Sequence, residues 1–228
     1  MQNESNNTID DDLASLEKEI HDAVASGTNV QEAVKHLTLK AMHADRLDTE
    51  SLRRIMTAAM QGVQEGANHQ LQQVKNQSET AQNQVKEAIA GLDSALAKLA
   101  EASKLAMEEA TSRTHHFSDT ELIRMRSDLE GLESIFLDTL KDTAATTKGL
   151  VADTLHDIVR HVENNGTAVG EQLKETLITL AQQMSLVGKA QLKVGINLTN
   201  ETAKLLHEIA TGIITGVEER NKNNDNKP

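Results

Sequence analysis

Proline is almost missing from this sequence, and its absence favours long helices. Pro228, the last residue, is the only proline in the 228-residue chain. Proline removes a backbone hydrogen-bond donor and clashes with the preceding turn, so no interior residue here forces a helix to end. The sequence also lacks the sustained alternation and the hairpin signals that would predict strands. We therefore expect an all-α protein.

Cysteine, tryptophan and tyrosine are absent as well, and Phe117 and Phe136 are the only phenylalanines. Without cysteine the chain has no disulfide and no thiol chemistry, which fits a reducing compartment. We expect a cytoplasmic protein, with association at a granule or membrane surface left open. The scarcity of aromatic rings excludes a stacking platform for single-stranded nucleic acid. A core of Ala, Leu, Val, Ile and Met suits helix pairs that approach closely.

An excess of basic residues is also lacking, since the net charge is −12 and the isoelectric point is near 5.2. This acidity argues against a nucleic-acid partner and against electrostatic attraction to anionic lipid. Long apolar runs are missing too. The longest uncharged run, Thr176–Gly188, is too short and too polar to span a membrane. The polar, acidic N-terminal sequence does not resemble a secretory signal.

Apolar periodicity and turn residues divide the chain into helices. Between Leu52 and Ala110 apolar residues recur at a mean spacing of about 3.6 residues, the period of an almost straight α-helix. A stop is predicted at Gly27, a capping box at Ser118, and another stop before Thr167, which should cap the last helix.

These boundaries predict an elongated antiparallel bundle of about three long helices, with two short helices at its N-terminal end. The predicted parts are a disordered tail over 1–9, a short helical pair over 10–47, a bundle over 48–220 and a disordered tail over 221–228. The long helices are expected at about 49–112, 119–163 and 167–219.

The last predicted helix carries an unusually wide apolar arc. A wide arc is typical of a helix that touches two neighbours in a bundle, and it is also typical of an amphipathic surface that touches lipid or polymer. The candidate contact residues on its main stripe are Leu177, Leu180, Met184, Val187, Val194, Leu198, Leu205, Ile209 and Ile213.

Motifs for catalysis or for binding a cofactor are missing from the sequence. There is no Gly-rich phosphate loop and no GxSxG, CxxC or HExxH motif. The densest histidine group, Asp153 to His161, falls opposite the apolar face of its helix and is interpreted as a solvated charge ladder. We therefore expect no enzyme, no cofactor, no metal site and no small-molecule substrate.

The long amphipathic helices over Leu52–Ala110, Leu122–Val162 and Leu173–Val217 resemble those of two groups of proteins. One is the phasins, which coat polyhydroxyalkanoate granules in bacteria. The other is the exchangeable apolipoproteins, which have an 11-residue period. The stretches Val34–Ala41 and Asp48–Ile55 also resemble uncharacterised bacterial helical proteins. The first two resemblances imply a helical coat on a hydrophobic surface.

Three functions follow as hypotheses. The first is a non-enzymatic amphipathic coat or scaffold that associates with a polymer granule or with lipid. The second is a self-assembling coiled-coil scaffold or adaptor with protein partners only. The third is a helical pore former that rearranges on membranes. A thin bundle of this kind leaves apolar surface exposed, so a homo-oligomer is expected.

Overall fold

The computed structural model describes residues 2–42, 49–73, 78–112 and 118–190, and within these ranges the chain is helical with no strand. The all-α fold class is therefore confirmed. The helices are α1 (Gln2–Ser26), α2 (Val30–Ala41), α3 (Thr49–Gln73), α4 (Ser78–Ser112), α5 (Asp119–Thr146), α6 (Leu150–Asn165) and α7 (Ala168–Ala190).

The first two helices form an antiparallel pair around a left-handed turn. Gly27 has φ of 68° and Asn29 has φ of 49°, and the Gly27 N–H donates to carbonyls of the last turn of α1. An ion pair of 3.7 Å between Lys40 and Glu19 places α2 back along α1. Since α1 begins at Gln2, residues 2–9 belong to a helix and not to the disordered tail expected there. No proline lies in this stretch to stop the helix.

The continuous helix predicted over 49–112 is instead two helices of opposite direction. The Gln70 side chain of α3 donates to the carbonyl of Ala25, while Gly91 of α4 packs against the carbonyl of Gln31. Both acceptors flank the turn between α1 and α2. In one straight helix residues 70 and 91 would be about 32 Å apart, which these contacts do not allow. The 3.6-residue period predicts a buried face but not a reversal, and residues 74–77 lie outside the described residues.

The helix predicted over 119–163 also reverses. It begins as expected at Asp119, but α5 ends at Thr146 and α6 starts after Gly149, which has φ of 70°. Lys141 and Glu163 form an ion pair of 2.8 Å, whereas a straight helix would separate them by about 33 Å. Glycine tolerates a positive φ, so Gly149 allows the chain to turn here. The apolar periodicity did not reveal this turn.

The predicted last helix begins where the sequence placed it, because α7 starts at Ala168 directly after Thr167. Its expected end at residue 219 and the disordered tail expected over 221–228 lie outside the described residues.

Two compact units make up the chain. The first contains Met1–Leu96 and Gly131–Gly170, and the second contains Ala97–Glu130 and Glu171–Pro228. The core of the first unit includes the fully buried side chains of Ile20, Met56, Met60, Leu92, Phe136 and Leu155. The core of the second includes Met107, Leu122 and Leu180. The N-terminal helices are thus part of the first core, and α1 lies parallel to α3 from Asp10, paired with Arg54, to Ala25.

Seven threonines are buried among the described residues. Thr154 is typical, because its hydroxyl donates to the carbonyl of Leu150 one turn earlier at 2.8 Å. Thr38 differs, since it is 0% exposed and its hydroxyl oxygen has no hydrogen-bond partner. A buried hydroxyl without a partner costs about 1–3 kcal/mol.

Replacing Thr38 with valine should therefore raise the free energy of unfolding by about 1 kcal/mol, because the shape is kept and an unpaired polar group is removed. Urea unfolding followed by circular dichroism measures this. Thr154→Val is the matched control and should be neutral or destabilising, since it removes a hydroxyl that is already bonded. A loss of stability in Thr38→Val would contradict the assignment.

Candidate functional site

The start of α7 is held by side chains from two other helices of the first unit. The two carboxylate oxygens of Asp93, on α4, accept the backbone N–H groups of Ala168 at 2.7 Å and Val169 at 2.9 Å. Thr167 caps the helix as the sequence predicts, because its hydroxyl oxygen accepts the N–H of Gly170 at 2.9 Å. The same hydroxyl donates to the carboxylate of Glu133, on α5, at 2.6 Å.

Burial sets the electrostatics of this cap. The pKa of Asp93 is raised from 3.8, chiefly by desolvation, and the charge of Glu133 raises it further. The N–H groups of Val169 and Ala168 oppose this rise, because they stabilise the ionised carboxylate. The arrangement satisfies the first N–H groups of α7 and so fixes where the helix begins. The sequence did not identify Asp93 as a capping residue, because an acidic residue within a helical segment is normally expected at the surface.

Beyond the cap, α7 buries one face and exposes another. Val169, Leu173 and Thr176 are buried, and the Thr176 hydroxyl also donates to the carbonyl of Ala100 at 3.1 Å. In the second unit, an ion pair of 3.0 Å joins Lys104 of α4 to Glu175 of α7. This bond raises the pKa of the Lys104 ammonium. These contacts hold α7 against α4 there.

The predicted contact stripe is partly covered. Leu180 is buried with 1% of its surface exposed, whereas Leu177 and Met184 are half-buried. Val187 lies within α7, but its side chain is outside the described part. Val194, Leu198, Leu205, Ile209 and Ile213 lie outside the described residues altogether.

The exposed large apolar side chains lie in one unit of the chain. Within the described ranges they are Leu105, Ile123 and Ile178, with 40%, 59% and 60% of their surface exposed. All three belong to the second unit, on α4, α5 and α7 respectively. Ile178 belongs to the second apolar set of the last helix and not to the stripe of predicted contact residues. The sequence thus predicted that the last helix is apolar, but not that its exposed side carries Ile178.

The histidine ladder on α6 is solvated. Asp153, His156, Asp157 and His161 are all exposed, and Asp157 pairs with Arg160 of the next turn. Across the described ranges, no group of three or more His, Cys, Asp or Glu side chains is arranged to hold a metal ion. None of the helices described is long and apolar enough to cross a membrane.

Comparison with known proteins gives a family but no activity. No curated protein and no solved structure matches the chain. The model of a family of unknown function, DUF6781, matches residues 6–222, which is nearly the whole sequence. The reversals of α3–α4 and α5–α6 and the cap on α7 therefore all fall within the region that the family model covers, and the chain belongs to this family.

Proposed function

We propose that the protein is a non-enzymatic helical coat or scaffold whose second unit associates with a hydrophobic surface, either a polymer granule or lipid. The observation that carries this proposal is the confinement of the exposed large apolar side chains, among the described residues, to the second unit. Burial of apolar area contributes about 25 cal/mol per Å² to the free energy of association. Covering side chains as exposed as Ile123 and Ile178 would therefore stabilise a complex with a partner.

The distribution of charge supports a hydrophobic contact over an electrostatic one. The chain has 35 acidic and 23 basic residues, so anionic lipid or nucleic acid would be repelled. In the second unit Lys104 is already paired with Glu175, and Arg126 is paired with Glu130 at 2.6 Å. Binding that depends on apolar side chains should persist at high salt, where charge attraction is screened.

A flotation assay tests the proposal. At high salt, the protein should float with neutral lipid vesicles or with polyhydroxyalkanoate particles. The triple variant Leu105→Ser, Ile123→Ser, Ile178→Ser should lose at least about tenfold in affinity, because burying one large apolar side chain is worth about 1.5–3 kcal/mol. Its urea midpoint should fall much less than that of a core substitution, since Ile123 and Ile178 are more than half exposed and Leu105 is 40% exposed.

Ile158→Ser is the matched control in the first unit, where Ile158 is half-buried on α6. This variant should float like the unchanged protein. Protein that stays at the bottom of the gradient, or an equal loss in the control, would contradict a surface contact through the second unit.

Self-assembly with protein partners only is the second candidate, because exposed apolar side chains such as Ile123 and Ile178 are also typical of contacts between protein chains. The burial of Leu180 leaves less of the predicted stripe for a broad contact with a granule or lipid. Sedimentation equilibrium distinguishes the two functions. If the triple variant lowers the oligomer mass and the unchanged protein never floats, the exposed side chains join copies of the chain.

A further inference from the structure

Two histidines from separate helices lie side by side in the first unit. His21 of α1 and His69 of α3 have ring centroids 5.5 Å apart, with planes inclined at 59°. Two imidazoles bound to one tetrahedral Zn²⁺, with Zn–N bonds of 2.0–2.1 Å, place their ring centroids about 5 Å apart. The observed spacing is therefore close to that of a shared metal ion.

The hydrogen bond of His21 prepares its ring for coordination. Nδ1 of His21 lies 2.9 Å from a carboxylate oxygen of Asp22, and because a carboxylate only accepts, Nδ1 carries the proton. The lone pair is then on Nε2. Histidine ligands of metals commonly donate their other N–H to a carboxylate in this way, which fixes the tautomer and makes the ligand more basic. The His21 side chain is 27% exposed, so an ion can reach it from solvent.

Contacts on both sides of the pair fix the distance between the two helices. Gly66, one turn before His69, lies so close to α1 that an added Cβ would be 2.7 Å from the His21 carbonyl oxygen. The residue after His69, Gln70, donates to the carbonyl of Ala25. A site held by such neighbours is preorganised, because the ligands do not have to be brought together when the ion binds.

We propose that His21 and His69 form a two-histidine site for Zn²⁺ that links α1 to α3, with water in the remaining coordination positions. Imidazole nitrogen is a preferred ligand of this ion. The carboxylates of Glu17 and Glu65, each one turn before a histidine on its own helix, add negative charge on these helices. No local motif predicts this site, because each helix supplies only one ligand.

Isothermal titration of the full chain with Zn²⁺ tests the site. His21→Gln and His69→Gln should each weaken the binding by about tenfold or more, and the double variant should be no weaker than either single one, since one ligand alone does not hold the ion. His156→Gln, which changes an exposed histidine of α6, should leave the affinity unchanged.

Thermal unfolding gives a second readout, in which the comparison with the variants separates this pair from the other histidines. Zn²⁺ should raise the melting temperature of the unchanged protein and of His156→Gln above their values in a chelator, and should raise that of His21→Gln and His69→Gln less. Equal affinities in the unchanged protein, the two single variants His21→Gln and His69→Gln and their double variant would overturn the proposal. So would no binding at all, or the same thermal shift in His21→Gln and His69→Gln as in the unchanged protein.

Discussion

Replacing Gly66 with alanine should destabilise the protein, although alanine is normally the better residue in a helix. An added Cβ would lie 2.7 Å from the carbonyl oxygen of His21 and 2.8 Å from Cβ of Val24. These atoms belong to the backbone and to the first side-chain carbon of α1, so they move only if α1 itself moves away from α3. Overpacking of this kind costs about 1–3 kcal/mol, which exceeds the gain of about 1 kcal/mol in helix propensity.

Gly131→Ala is the matched control, because Gly131 is also inside a helix of the first unit. An added Cβ there has no atom within 4 Å. This variant should therefore gain about 1 kcal/mol in free energy of unfolding from helix propensity alone. Urea unfolding of the two variants should thus shift in opposite directions from the unchanged protein. A shift of both to higher urea would mean that α1 does not approach α3 as closely as the structure has it.

Two glycines of α3 show what the sequence could and could not predict. Gly62 and Gly66, one turn apart in a helical pattern, indicate that some neighbour approaches closely. They do not say which neighbour, because the contact with α1 joins segments that the chain brings together only on folding. The helical class itself was predictable, since it follows from local properties: the missing internal proline, the apolar period and the turn residues before Thr167.

Whether the chain continues straight or turns back was harder to predict than whether it is helical. An apolar period of about 3.6 residues continues through 49–112 whether the chain runs straight or turns back, because both arrangements bury the same face. The reversal between α5 and α6 depends on Gly149, which the Thr-rich sequence around it did not distinguish from a tolerated helical glycine. Two of the three predicted long helices, 49–112 and 119–163, are hairpins for this reason.

The sequence predicted which helix carries the candidate surface, but not which of its side chains are exposed. The wide arc of the last helix correctly marked α7 as apolar, but which side of the arc is covered depends on α4, through the contact of Thr176 with Ala100. Leu180 was expected to meet a partner and is buried, while Ile178 is exposed. Tertiary contacts of this kind are not encoded in the periodicity of either helix alone.

Replacing Asp93 with alanine should destabilise the start of α7 by about 2 kcal/mol. The change leaves the N–H groups of Ala168 and Val169 without the carboxylate that accepts both of them. Loss of a side-chain cap costs about 0.5–2 kcal/mol, and a charged acceptor places this cap at the upper end. Asp93→Asn should lose less, because its amide oxygen still accepts one N–H. Urea unfolding, followed by circular dichroism, measures both losses.

The pH dependence of Asp93 should have the opposite sign to that of most paired carboxylates. Its pKa is raised above 3.8 by burial, so the folded state takes up a proton at a higher pH than the unfolded state does. The free energy of unfolding contributed by this group therefore rises as the pH falls from the raised pKa towards 3.8, and is constant below that window. Comparison with Asp93→Asn isolates the effect, because the amide does not titrate. The difference in unfolding free energy between the unchanged protein and this variant should grow in favour of the unchanged protein on acidification. A difference that shrinks instead would mean that the two N–H bonds outweigh desolvation and that the ionised carboxylate is the form the fold prefers.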